Sequence, residues 1–186
     1  MSTATENPVR DNAQAILKVL REHPGDEARL QAEVRTAVNN LIRVPGLDAL
    51  GVKREANHVP SSLYLYFDTE MKITLDILAK DKSLPVHEHG AFEAFGVYRG
   101  SLLHTVYQQV DDNTRPGYAE LKVIDDRKLQ QGDYALVAPP ADIHGFTGLE
   151  EGTALLTVAT SHYIPNRRYF DPEHRTYKYS ATKNTR

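Results

Sequence analysis

The sequence predicts an all-β barrel or sandwich of antiparallel strands, preceded by two α-helices. Apolar residues recur every three or four positions in the first part of the chain, up to about residue 43. From about residue 62 they recur every second position, in many short runs that turn-forming residues separate and no helical pattern interrupts. A chain of 186 residues is long enough for one such domain with a small helical appendage.

Two amphipathic helices are predicted between Asn7 and Arg43. The stretch HPGDEARLQ interrupts the pattern and offers Asp26 as an N-cap for the second helix. The turn-rich stretch VPGLDALGVKREANHVPSS is expected to connect the helices to the strands. The apolar residues with helical spacing are Ala13, Ile16, Leu17, Leu20, Leu30, Val34, Ala37, Val38 and Leu41.

Strand alternation is clearest from Met71 to Leu78, where apolar residues alternate with mostly polar ones. Shorter runs of the same kind follow around residues 134–136 and 155–159. The polar, tyrosine-rich tail from Pro165 is expected to wrap the surface or to fray. We therefore predict a helical segment at 1–58, a barrel at 59–165 and a tail at 166–186.

Composition excludes several classes of function. The net charge of -3 and the pI near 6.2 give no general attraction for nucleic acid or an anionic membrane, so a small-molecule partner is expected. There is neither an apolar run of the roughly 20 residues that cross a bilayer nor a secretory signal pattern, which predicts a cytoplasmic protein. The sequence has no cysteine, so any metal must be held by His, Asp or Glu. Self-association is left open.

The stretch PVHEHGAFEAFGVYRG places two histidines and a carboxylate close together. Because alternate residues of a strand point to the same face, His87 and His89 are expected to present both rings to one side. Glu93 is expected to lie on the next strand and to share a face with Phe95, and Gly100 ends that strand with a tight turn. The alternative is an ordinary pair of surface histidines beside a turn.

A third histidine, His144, lies downstream in the stretch GDYALVAPPADIHGF, where it is expected to open a strand in apolar company. Three neutral imidazoles and one carboxylate suit Fe(II), Mn(II), Ni(II), Cu(II) or Zn(II), and they leave positions free for water, substrate or dioxygen. The pattern therefore predicts a site for one divalent metal ion.

These residues resemble the two motifs of the cupin superfamily. His-x-His-x-x-x-Glu followed by glycine resembles the first motif, and the later glycine, proline and histidine series is similar to the second, with Ala141 where glycine is usual. The resemblance covers roughly residues 62–165. It implies a double-stranded β-helix, the jelly-roll barrel, with four metal ligands, and the matching residues are His87, His89, Glu93, Gly100, Gly132, Pro139 and His144.

Within the cupins, the two helices, the segment TSHYIP and the tyrosine-bearing tail resemble the cysteine dioxygenase group of thiol dioxygenases. This resemblance implies Fe(II), dioxygen and a small thiol substrate, with Thr160 and His162 as catalytic residues that hydrogen-bond near the bound dioxygen or substrate and do not bind the ion. Ile164 stands where the group has a tyrosine, unless Tyr163 substitutes. The group lacks the motif glutamate and carries an arginine for the substrate carboxylate. SLYLYFDTEM contains no arginine, which predicts a substrate without a carboxylate.

Each assignment has a structural alternative. Glu93 is expected to ligate the ion, and the alternatives are a hydrogen bond beside it or an ion pair with Arg99. His162 is equally well a core histidine. His104 is expected to serve packing or to lie at the surface, and the alternative is that it lines the same cavity as the ligands. The pair at 167–168 is read as a solvated basic spot. Three functions remain: an Fe(II) dioxygenase, which is favoured, a non-oxidative metal-dependent isomerase or hydrolase, and a binding protein without turnover.

Overall fold

Two α-helices, one short 3-10 helix and twelve strands make up the described part of the chain, which covers residues 7–56, 58–160, 164 and 166–179 of the computed structural model. The helices are α1 Pro8–Glu22 and α2 Glu27–Leu41, and the 3-10 helix spans Leu47–Leu50. The strands are β1 Val52–Arg54, β2 Ser61–Phe67, β3 Lys72–Leu78, β4 Val86–His87, β5 Glu93–Arg99, β6 Ser101–Gln109, β7 Leu121–Gln130, β8 Tyr134–Val137, β9 Ile143–Gly148, β10 Thr153–Ala159, β11 Arg168–Asp171 and β12 Thr176–Tyr179.

The strands form two six-stranded antiparallel sheets within these residues. The first has the order β1-β2-β3-β10-β5-β8 and the second the order β12-β11-β4-β9-β6-β7. From β3 to β10 the chain passes repeatedly between the two sheets, so that four strands of the first sheet, β3, β5, β8 and β10, interleave with four of the second, β4, β6, β7 and β9. This connectivity is that of a jelly roll, and it confirms the predicted all-β jelly-roll barrel with two N-terminal helices.

The two helices begin where the sequence indicates. The side chains of Asn7 and Asp26 accept hydrogen bonds from the backbone N–H of Arg10 and Arg29, each at 3.1 Å, so both act as N-caps. The apolar faces of the helices pack on the outer face of the first sheet. Gly96 permits this close approach, because a Cβ there would lie 2.5 Å from the side chain of Val38.

A second apolar cluster, separate from the one beneath the helices, fills the space between the two sheets. Phe95 and Leu155 from the first sheet meet Leu102 and Phe146 from the second. Asp76 on β3 pairs directly with Leu155 on β10, so both side chains point toward the barrel interior. Because side chains alternate along a strand, every second residue of β3 shares this direction with Asp76. The barrel interior is therefore apolar at one level and carries charged side chains at others.

The ends of the chain extend both sheets. β1, from the predicted helical segment, pairs with β2, and β11, from the predicted tail, pairs with β4. The tail was expected to wrap the surface or to fray, but its described residues form a β11–β12 hairpin within the second sheet. The boundaries at 58 and 165 remain predictions. Neither α-helix of the described chain is both long and apolar enough to cross a membrane.

Candidate metal centre

Three histidines converge at one end of the barrel interior. His87 lies on β4, His89 follows directly after it, and His144 lies on β9 opposite His87 in the antiparallel register. One ring nitrogen from each lies within 4.8 Å of the other two. His89 and His144 are buried, with 2% and 0% of their surface exposed, and His87 is half-buried. The structure thus brings together the three predicted histidine ligands.

The loop that carries His89 is held by contacts that the sequence did not reveal. Asp142, two residues before His144, accepts hydrogen bonds through Oδ2 from the backbone N–H of His89 at 3.1 Å and of Gly90 at 2.6 Å. Gly90 has φ +63°, and a Cβ there would lie 2.4 Å from Cγ2 of Ile164. The N–H of Ile164 also donates to the His89 carbonyl at 3.1 Å. These contacts fix the direction of the His89 ring.

The ring nitrogens are arranged as a single ion requires. His87 Nδ1 lies 2.7 Å from the Pro85 carbonyl, to which it donates, so its Nε2 carries the lone pair. Nε2 of His89 lies 2.9 Å from Nε2 of His144. Two imidazole nitrogens that bind one ion at about 2.1 Å, at a right angle to each other, lie about 3 Å apart. The histidines present therefore fit a divalent transition-metal ion.

Burial keeps the His87 and His144 imidazoles neutral. Desolvation lowers the pKa of His87 to about 4, and the neighbouring His89 acts in the same direction. Desolvation also lowers the pKa of His144 well below its ordinary value. Because a metal binds the neutral ring, protons compete weakly for these ligands at neutral pH.

Glu93 opens β5 beside the histidines. Its Oε2 lies 2.9 Å from Nε2 of His89 and 4.0 Å from Nε2 of His144, and the residue is buried. The alternative partner Arg99 instead contacts the carboxylate of Asp48 at 3.8 Å. Glu93 is thus adjacent to two of the converging histidines, and its ligation of the ion stays a prediction.

Two cations face the barrel interior from strands on either side of β2. Lys72 and Glu93 both pair with Ala159, so they lie in one row across the first sheet with only that small residue between them. Arg54 on β1 pairs with Ser62 on β2, and Ser62 pairs with Asp76 on β3, so Arg54 lies on the same inward-facing side of the sheet as Asp76. Desolvation lowers the pKa of Lys72 to about 8, and the charge of Glu93 opposes this shift. The stretch SLYLYFDTEM contains no arginine, but the neighbouring strands β1 and β3 supply these two cations.

The tail also contributes to this end of the barrel. Tyr169 on β11 pairs with His87 in register, and their rings stack with centroids 5.6 Å apart and an angle of 18°. The Tyr169 hydroxyl accepts a hydrogen bond from Arg167 at 2.9 Å. Arg168 makes an ion pair with Glu88 at 2.7 Å, which holds β11 against β4. The pair predicted to be a solvated basic spot is therefore engaged in contacts.

His104 lies directly behind His144. It is completely buried, its ring stacks on Phe146 with centroids 4.7 Å apart, and its Nε2 lies 3.1 Å from Nδ1 of His144. Desolvation lowers its pKa to about 4. The sequence indicated packing or a surface position. Packing is confirmed, but the contact with a candidate ligand depends on the β6–β9 register, which the local pattern does not show.

The two residues predicted to be catalytic stay predictions. His162 lies outside the described residues. Thr160 is buried and follows the end of β10, where Leu156 and Val158 pack toward the helices. No contact between Thr160 and the three histidines is observed among the described residues.

No protein-family model and no curated protein matches the chain, but solved structures do. A cupin superfamily protein from Desulfitobacterium hafniense is 18% identical over 59% of this chain and 84% of that chain, with a TM-score of 0.41. An RmlC-like cupin from Shewanella frigidimarina is 18% identical over 61% and 86%, with a TM-score of 0.45. The polyketide cyclase RemF from Streptomyces resistomycificus is 18% identical over 69% and 84%, with a TM-score of 0.48. These values are too low to transfer a function, so the functional proposal rests on the geometry of the site.

Proposed function

We propose that the chain is a metal-dependent oxidoreductase of the cupin type, an Fe(II) dioxygenase that acts on a small thiol or a related small molecule. The observation that carries this proposal is the convergence of His87, His89 and His144, with ring nitrogens within 4.8 Å of one another. Neutral imidazoles suit Fe(II) and also Mn, Ni, Cu or Zn. The cysteine dioxygenase resemblance favours iron among these ions.

Bound iron would supply the electron transfer to dioxygen that amino-acid side chains cannot perform. The residues of the chain bind, orient and exclude water. Phe95 and Phe146 pack against the His144 ring, with centroids 5.2 and 5.0 Å away, and keep the inner side of the site dry. The Tyr169 hydroxyl accepts from Arg167 and so keeps its own proton for donation to a substrate bound beside His87.

The substrate is expected to carry a thiol, and its second functional group is the open question. The sequence predicts no carboxylate, because β2 has no arginine. Lys72 nevertheless faces the interior, where a cation favours an anionic group, whereas the charge of Arg54 is already offset by the Asp76 carboxylate at 3.6 Å. An amino thiol such as cysteamine and a carboxylate-bearing thiol such as cysteine therefore form the informative pair of substrates.

The test combines metal analysis with an oxygen electrode. Protein purified without added metal is expected to contain about one divalent ion per chain, most often iron, and to consume dioxygen with a thiol. His87→Ala and His144→Ala are expected to lose both properties. His174→Ala is the matched control, because His174 is exposed and contacts Asp171. Equal metal content in all variants, or no oxygen uptake with any thiol, catechol or enediol, would contradict the proposal.

A second candidate function is a non-oxidative, metal-dependent isomerase or hydrolase. The position of Glu93 favours it, because a buried carboxylate 2.9 Å from His89 can accept or return a proton beside a bound substrate. Glu93→Gln separates the roles of this residue. Loss of metal indicates ligation, whereas retained metal with activity reduced about tenfold to a hundredfold indicates a role beside the ion. Activity with zinc in place of iron would support the non-oxidative function.

A further inference from the structure

His104 is a polar residue in a layer of the barrel interior that is otherwise apolar. It projects from β6 opposite Phe146 and packs against Phe95, in the apolar layer beneath the three converging histidines. None of its surface is exposed. An aliphatic or aromatic side chain would fill this space without burying two ring nitrogens. Packing alone therefore does not account for a histidine here.

A shared proton links His104 to His144. Nε2 of His104 lies 3.1 Å from Nδ1 of His144, so one of these nitrogens must donate and the other must accept. If His104 donates, the proton of neutral His144 lies on Nε2, and this nitrogen cannot bind a metal. If His144 donates from Nδ1, its Nε2 carries the lone pair, 2.9 Å from Nε2 of His89. Only the second arrangement produces the ligand set.

We propose that His104 is a positioning residue that holds the proton of His144 on Nδ1 and thereby presents Nε2 of His144 to the ion. This inference rests on the proposed metal centre. In most metal sites the second nitrogen of a ligating histidine donates to a carboxylate, a carbonyl or water. Here the acceptor is a neutral imidazole in a dry layer, which fixes both the tautomer and the direction of the ring.

Within the described part of the chain, the other nitrogen of His104 has no partner in either arrangement of the shared proton. When Nε2 accepts, the ring proton lies on Nδ1, which is buried and has no hydrogen-bond partner among the described residues. Buried polar atoms without a partner are rare because they are unfavourable. The choice between the two arrangements therefore depends on the free Nε2 of His144 beside His89 and not on Nδ1 of His104.

The experiment measures Co(II) affinity with the metal-free full chain, by calorimetry and by the visible absorption of the bound ion. His104→Phe removes the acceptor and keeps an aromatic ring on Phe146, and we expect Co(II) to bind about tenfold to a hundredfold more weakly. His104→Gln keeps an acceptor oxygen near the position of Nε2, and we expect affinity and absorption close to those of the wild type. Leu75→Ala is the packing control, because Leu75 is completely buried in the cluster between the first sheet and the helices, and we expect it to lower the melting temperature without changing Co(II) affinity.

A comparison of His104→Asn with His104→Gln keeps the test valid even if His104→Phe does not fold. The short amide of His104→Asn does not reach Nδ1 of His144, so this variant should lose affinity where His104→Gln retains it. Wild-type affinity in both His104→Phe and His104→Asn would overturn the inference and leave the metal centre standing. Equal losses of affinity in His104→Gln and Leu75→Ala would assign a packing role instead. Absence of Co(II) binding in the wild type would overturn the metal centre itself.

Discussion

Asp142 joins the beginning of β9 to the loop that carries His89, and its removal should affect both stability and metal binding. Its Oδ2 accepts from the N–H of His89 at 3.1 Å and of Gly90 at 2.6 Å, and only 6% of the residue is exposed. Asp142→Ala leaves a buried amide without a partner and removes a second, partly exposed hydrogen bond. Asp142→Asn keeps an acceptor oxygen in the same place.

The expected magnitude follows from these two bonds. A buried donor left without a partner costs about 1–3 kcal/mol, and a hydrogen bond to a charged acceptor contributes about 1.5–3 kcal/mol. We therefore expect Asp142→Ala to lower the free energy of unfolding by about 3 kcal/mol, and Asp142→Asn to lower it by about half as much or less. The His89 ring is also no longer held, so Co(II) should bind about tenfold more weakly to Asp142→Ala.

The assays are urea denaturation of the metal-free protein and Co(II) titration of the folded protein. Asp68 offers a matched control, because its Oδ1 accepts from the backbone N–H of Glu70 and Met71, each at 2.8 Å, in the turn between β2 and β3. Its Oδ2 also accepts from the Tyr66 hydroxyl at 2.6 Å, so Asp68→Ala should lose at least as much stability and keep wild-type Co(II) affinity. The reasoning is refuted if Asp142→Ala binds Co(II) as the wild type does, or if Asp68→Ala weakens binding by the same factor.

Further predictions concern protonation, a glycine and a tyrosine. Since His87 and His104 have pKa values of about 4 when folded, against about 6.5 when unfolded, the unfolded chain takes up protons first. The stability of the metal-free protein is then complete above pH ~6.5 and falls toward pH ~4, by up to about 1.4 kcal/mol per pH unit for each histidine in urea denaturation. Gly90→Ala combines a positive φ with a close contact and should lower the melting temperature more than Gly117→Ala, which has φ +77° and open space; equal losses would contradict the close contact. Tyr169→Phe keeps the ring stacked on His87 and removes the hydroxyl, so metal content should stay constant while oxygen uptake falls; unchanged uptake would assign the hydroxyl a structural role.

The fold could be predicted because the period of the apolar pattern changes along the chain. Alternation predicted that Glu93 and Phe95 share a face, and Phe95 indeed packs in the interior cluster while Glu93 lies two residues before it on the same face. Helical spacing and Asp26 likewise predicted where α2 begins. These are local properties, which a strand or helix expresses whatever its partners are.

The candidate site could be predicted only in part, because its remaining contacts depend on pairing between distant strands. His87, His89 and His144 were predicted from their spacing and flanking residues. The contact of His104 with His144 requires β6 to pair with β9, and the stacking of Tyr169 on His87 requires β11 to pair with β4. The local sequence pattern does not determine how these strands pair. A shift of the pairing by one residue would turn each of these side chains to the opposite face.

The row that contains Lys72 and Glu93 bears on the chemistry of the site. A divalent ion held by three neutral imidazoles keeps two positive charges, and such a centre attracts an anionic ligand. If Glu93 bound the ion, it would cancel one of these charges and fill a position that a thiolate would otherwise take. Lys72 faces Glu93 across Ala159 and offsets the charge of its carboxylate, which lies 2.9 Å from Nε2 of His89. Nε2 of His89 cannot donate to Glu93 and bind the ion at the same time, so in the metal-bound protein the Glu93 carboxylate and a substrate thiolate would compete for the ion, and Glu93→Gln is expected to strengthen thiol binding.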